Sequence, residues 1–287
     1  MILYALSSPP FYTTYVRLPT VHDAVPSEIL SNPKFFPFFD GAIGAMDGTH
    51  INCCPSSEER HLARNRKGGV SQNTLACCGF DMQFQYMLSG WDGCAADASM
   101  YNDARLSDLT IPEGKYHLAD AGFGMCDSLL IPYRGVRYHL AEWGRASVRY
   151  SSLVFLKAMA HFMLYRPVNK EELYNLRHAS ARNVVERIFG VLKRRFVILT
   201  HPPEYSMEIQ ARIPPALAAT HNFIRDHDGE EIFDFDDPID PQPGLYGVLG
   251  NGPAWRAEVV RATSKRDRIA SAMWRSYQAV TRGFGLE

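Results

Sequence analysis

Gly44-Ala45-Met46-Asp47-Gly48-Thr49-His50 runs an apolar stretch into a carboxylate followed at once by glycine. The pattern returns in Leu118-Ala119-Asp120-Ala121-Gly122-Phe123, and a third acid lies inside the basic segment Asn183-Val184-Val185-Glu186-Arg187-Ile188-Phe189-Gly190. Around the first acid, Ile43, Ala45, Ile51 and Cys53 alternate about a turn at Asp47-Gly48, which predicts strand over 41–54. Lys115–Asp120 reads as a short strand ending on the second acid. Over 170–196 the stripe Val185, Ile188, Phe189, Leu192, Phe196 has helical spacing and leaves Glu186 at its edge. Asn169 followed by Glu172 resembles a capping box, and a break is expected near His178. Two acids at strand ends and one at a helix edge can face a single cleft, and converging carboxylates make a hard-oxygen site for a divalent cation. Taken alone, Glu186 reads as a boundary residue paired with Arg182 or Lys193.

Outward from these segments, two strands are expected at 73–81 and 83–90, joined at Asp81-Met82 and ended by Gly90–Gly93. Ala95–Leu106 reads as a helix capped near Asp97, and Gly135–Leu140 as a further strand. Helices follow at 213–225 and 253–280, separated by an acidic, Pro-rich linker at 226–243. Strands interleaved with helices give an α/β fold class. The expected division is an N-terminal extension at 1–40, a central domain at 41–225, and an acidic linker with a C-terminal helix at 226–287.

With 287 residues, 46% of them hydrophobic, the chain can bury a substantial core. Its net charge of −1 hides an asymmetry. Residues 226–240 hold eight acids and no Lys or Arg, so the rest carries +7. Basic clusters fall at Arg60, Arg64, Arg66 and Lys67, and at Arg182, Arg187, Lys193, Arg194 and Arg195. Such clusters suit a polyanion, or are solvated faces. The six cysteines form no C-x-x-C pair, which argues against a zinc site, and Cys53-Cys54 and Cys77-Cys78 read as buried small hydrophobes of a reducing compartment. No run reaches the ~18 apolar residues of a membrane span, and the start lacks the basic region of a signal peptide.

Residues 41–225 resemble the DDE-type transposase domain of the PIF/Harbinger group and its domesticated nuclease relatives. The carrying segments are Gly44–Ile51, Asn65-Arg66-Lys67-Gly68, Gly90-Trp91 with Gly93–Asp97, Gly114–Phe123, Pro132–Leu140, Asn175–His178 and Asn183–Phe196. The resemblance implies a ribonuclease-H-like fold, a mixed sheet flanked by helices. It places the catalytic, metal-holding acids at Asp47, Asp120 and Glu186. Two Mg²⁺ or Mn²⁺ roughly 3.5–4 Å apart would serve DNA cleavage or strand transfer, one activating water or a 3′-hydroxyl and the other stabilising the leaving oxygen. Asp97 matches a further acidic position, expected as a helix cap or outer-shell group. His50 and His178 stand either near the phosphate or as hydrogen-bonded structural histidines. Asn65, Arg66, Lys67, Arg187 and Lys193 are the expected DNA phosphate contacts.

The resemblance further implies a nuclear protein. About 40 residues precede the first strand and show no basic helix-turn-helix pattern, so sequence recognition is expected from a separate Myb-like or helix-turn-helix partner. Tyr150–Tyr165 interrupts two family-like segments and is expected as a peripheral insertion or retained intron. A transposase remnant that binds DNA or protein without catalysis, and a ribonuclease-H-like hydrolase of RNA, are the competing readings.

Overall fold

The computed structural model describes residues 1–65, 68–137, 166–228 and 253–283. Strands β1 (Ala42–Asn52), β2 (Ser71–Cys78), β3 (Phe84–Trp91), β4 (Tyr116–Leu118) and β5 (Leu129–Leu130) form one sheet in the order β3-β2-β1-β4-β5. The first three strands pair antiparallel, whereas β1–β4 and β4–β5 are parallel. A mixed five-stranded sheet in this order, flanked by helices, is the ribonuclease-H-like arrangement.

Both faces of the sheet are covered, and the side chains alternate between them. Ala45, Ala76 and Cys78 face a core shared with helix α5 (Lys170–Arg195) and helix α6 (Met207–His227). Met46, Leu75 and Cys77 face a second core with helix α4 (Asp97–Ser107). This explains why β2 is buried at every position and reads as a continuous run rather than an alternating one. Of the cysteine pairs, Cys53, Cys77 and Cys78 are buried as expected, but Cys54 is exposed. Ahead of the sheet stand three short helices, α1 (Ile2–Leu6), α2 (Phe11–Tyr15) and α3 (Ser27–Leu30). The C-terminal helix α7 (Pro253–Gly283) packs along β5 and α5.

Several local expectations are corrected. Asp47-Gly48 makes no turn, because both residues pair within β1, opposite Ala76 and Leu75. Helix α5 runs unbroken through His178, whose Nε2 donates to the Leu130 carbonyl, 2.8 Å away. Its start is as expected, since the Asn169 side chain accepts from the Glu172 amide. Leu129–Leu130 is a strand that the sequence did not signal, being only two residues long. Residues 135–137 are not a strand, and the remainder of that expected element lies outside the described residues. The suspected insertion at 150–165 and most of the acidic linker also lie outside them.

Helix α6 begins well before the expected 213 and contains Pro214 and Pro215. A proline lacks the N–H that would bond the carbonyl four residues back, which frees the carbonyls of Gln210 and Ala211. Gln72 of β2 donates its side-chain amide to the first at 3.1 Å, and the Ser89 hydroxyl of β3 donates to the second. The prolines thus become the points where the helix is stapled to the sheet.

Three fully buried histidines carry a pH consequence. His117 pairs with the Gln85 carbonyl oxygen at 2.8 Å, His178 holds Leu130, and His221 bridges Arg195 and the Met82 carbonyl. Burial pushes His117 and His178 down to about 3 and His221 to about 4. The unfolded chain binds these protons near pH 6.5 and the folded chain does not, so stability present above that pH is lost as pH falls. The urea midpoint of His117→Gln should therefore decline less steeply than that of the wild type between about pH 6.5 and pH 4. Parallel declines would show that this histidine is not held neutral.

Candidate active site

Register brings the first two acids together. The parallel pairing of β1 and β4 sets Ala45 opposite Leu118, and two residues further along each chain come Asp47 and Asp120. Strand β4 stops at Leu118 while β1 continues, so the sheet opens at this level. Each acid is braced by local backbone, Asp47 Oδ1 by the Gly48 amide at 2.9 Å and Asp120 Oδ1 by the Gly122 amide at 2.7 Å.

A third carboxylate arrives from α4. The helix begins at Asp97 itself, with Ala96 in the cap position. One carboxylate oxygen from each of Asp47, Asp97 and Asp120 lies within 4.8 Å of the others. Gly48 makes the approach of Asp97 feasible, since a Cβ there would stand 2.2 Å from Asp97 Oδ1. This glycine serves close approach rather than a turn.

Glu186 stands outside that group of three and is linked to it by Arg182. The Arg182 guanidinium donates to Asp47 Oδ2 at 2.8 Å through one terminal nitrogen and to Glu186 Oε1 through the other. Arg182 is 5% exposed, so both ion pairs are shielded from water. Burial raises the Asp47 carboxyl, Arg182 opposes, and Asp120, Asp97 and Glu186 add repulsion, leaving it pushed up to about 8.

The other expected residues scatter. His50 Nδ1 contacts Ser71 Oγ at 3.1 Å, and Asn65 donates to the same hydroxyl at 2.9 Å. Asn65 also closes its own loop by exchanging bonds with Gly69. His178 is packed in the core, stacked on Tyr174. Arg187 is exposed on α5. Lys193 donates to Thr49 Oγ1 at 2.8 Å, and burial lowers its amine to about 8. Arg66 and Lys67 lie outside the described residues.

Arg182 is the residue that the sequence undervalued, as one of a basic cluster and as the ordinary partner of Glu186. The four-residue spacing to Glu186 was the available signal. The reach across to Asp47, 135 positions away, had none.

The sequence model described as DDE superfamily endonuclease matches residues 46–222. A protein of Rattus norvegicus named "Putative nuclease HARBI1" is 25% identical over 194 residues, covering 65% of this chain. The chain spans 47% of that relative, about half its length. No solved structure matches.

Two variants test this geometry. Gly48→Ala should displace Asp97 and shrink the rise in Tm produced by Mn²⁺, relative to wild type; an undiminished Mn²⁺ response would show that the Asp97 approach does not matter. Arg182→Gln should destabilise the metal-free protein by about 3–5 kcal/mol, the usual cost of breaking a buried ion pair. A urea midpoint equal to the wild type would show that the two acids do not depend on the guanidinium.

Proposed function

The chain belongs to the DDE superfamily endonuclease family, and on that premise we propose that it cleaves DNA by metal-dependent phosphoryl transfer at Asp47, Asp120 and Glu186. The observation that carries this reading is the convergence of Asp47, Asp97 and Asp120 within 4.8 Å. These donors are all oxygens, and burial, with added repulsion from Asp120 and Asp97, raises the Asp47 carboxyl. Both properties fit a hard divalent ion such as Mg²⁺ or Mn²⁺. When bound, a pair of such ions supplies charge stabilisation at the phosphate and makes a water or a 3′-hydroxyl a competent nucleophile.

The chain's own residues bind and orient. Asp47 projects from β1 and Asp120 from two residues past the end of the adjacent parallel β4, so the register of the two strands brings them together. Asp97 adds a third acid from α4, an addition to the set drawn from the sequence. Glu186 joins when Arg182 releases it, since the guanidinium and a metal ion compete for the same oxygen. Lys193, beside Thr49, and the exposed Arg187 supply positive charge for the phosphate backbone. No protein nucleophile is required.

The contact between Glu186 and Arg182 also favours a second reading, a remnant that binds DNA without cutting it, in which the guanidinium never leaves. Sequence recognition by a separate Myb-like or helix-turn-helix partner, and action in the nucleus, complete the proposal. Among the described residues no helix is long and apolar enough to cross a membrane.

Asp47→Asn should abolish Mn²⁺-dependent nicking of plasmid DNA while leaving the circular dichroism spectrum unchanged. Retained nicking would reject the assignment, and an inactive wild type that still binds DNA would select the second reading. Preference for an RNA strand over DNA would replace the substrate. Affinity for unrelated DNA duplexes should be similar and should fall steeply with salt, as counterion release requires; tight, salt-independent binding to one sequence would overturn that expectation.

A further inference from the structure

Helix α7 lies beyond the residues matched by the family model and bears no part of the acidic site. Its inner face is apolar and buried, through Ala262, Ile269, Ala270 and Met273. Its outer face repeats arginine every seven residues, at Arg261, Arg268, Arg275 and Arg282, all exposed. Seven residues are nearly two helical turns, so the four drift by only ~20° per step and stay on one side. At ~1.5 Å per residue they are about 10 Å apart and span about 31 Å.

Both acids of α7 are engaged by neighbouring groups, the Glu258 side chain mostly buried and that of Asp267 half-exposed. Glu258 accepts from Arg105 and from the Asp127 amide, and Asp267 accepts from the Tyr133 hydroxyl at 2.6 Å. Among the described residues, the other exposed positions of α7 are one further cation, Arg256, and the uncharged Ala257, Val260, Ser264, Ser276, Ala279, Val280 and Gly283. The result is a straight cationic stripe on a chain whose net charge is −1. We infer that this face of α7 is a second DNA-binding surface, which seats the phosphate backbone of duplex flanking the cleavage site. The inference rests on the proposed action on DNA.

Length and chemistry select the occupant. A single phosphate or nucleotide meets one arginine, whereas ~31 Å of duplex presents phosphates along the whole stripe, at one charge per ~1.7 Å. A membrane surface would need a broad apolar face beside the arginines, whereas α7 buries Ala262, Ile269, Ala270 and Met273 and, among its described residues, exposes only Val260 and Val280 as large apolar side chains. Arginine suits phosphate because its planar fork donates two bonds at once.

The test uses the full chain and the double variant Arg268→Gln/Arg275→Gln, which spares Arg261 and its pair with Asp127. Affinity for a labelled duplex of about 20 base pairs is followed by fluorescence anisotropy between about 50 and 200 mM salt. Weakened binding is expected, with the slope of log K against log salt reduced by about 2, one unit per lost phosphate contact. The Mn²⁺-induced rise in Tm should be unchanged, and Arg268→Lys/Arg275→Lys should retain most of the slope. An unchanged affinity and slope in the glutamine variant overturns the surface while DNA binding by the wild type leaves the cleavage reading intact. A wild type that binds no duplex at about 50 mM salt overturns both. Binding of a peptide spanning 226–240 that the glutamine variant loses, with DNA affinity unaltered, would assign the stripe to the chain's own acidic segment and overturn the inference.

Discussion

Carboxylates gathered within 4.8 Å repel one another, and the shelter that makes them useful also withholds the water that would screen them. Arg182 answers that repulsion from the centre of α5, with one end of its guanidinium on Asp47 and the other on Glu186. A lysine ammonium, being a point charge, cannot serve two acids with one rigid plane. The same contact ties the middle strand of the sheet to the helix that covers it. Lys193 repeats the tie three turns later, on Thr49. Helix α5 is therefore placed by electrostatics along one edge and by the packing of Val185, Ile188 and Leu192 along its core face.

The acid cluster needs a sheet that ends unevenly. If β4 continued as far as β1, backbone would fill the space where Asp120 turns back toward Asp47. If Gly48 carried a methyl group, Asp97 could not lie over β1. Each acid comes from a different element, and each element is fixed by something other than the acid: strand register for β1 and β4, and the packing of Met100 and Tyr101 for α4. Rigid supports of this kind hold like charges together more cheaply than flexible loops would, because no ordering entropy is lost when a cation arrives.

Charge is sorted along the chain as well as within the site. The acids of α7 are engaged by neighbouring groups while Arg261, Arg268, Arg275 and Arg282 face solvent, so a helix that is unremarkable in composition becomes one-sided in space. Net charge is blind to such sorting.

The sequence by itself determined the elements that carry a strong local signal. The strand around Asp47, the long helix around Glu186 with its Asn169 cap, and the C-terminal helix were legible because periodicity and capping are written within a few residues of the feature they specify. The motif segments likewise disclosed the family. Where the signal was short or nonlocal, reading failed. Asp47-Gly48 looked like a turn because glycine's freedom and glycine's smallness leave the same mark in a sequence, and only the position of Asp97 tells them apart. The helix expected at 213–225 began too late, since the side chains of Gln72 and Ser89 that satisfy the carbonyls orphaned by Pro214 and Pro215 come from distant strands. Asp97 joined the acid cluster from 50 positions beyond Asp47, and Arg182 reached Asp47 across 135, contacts which no local pattern encodes. Tertiary structure decided these because burial removes water as an alternative partner, so each charge and each carbonyl must find its match wherever the fold presents one.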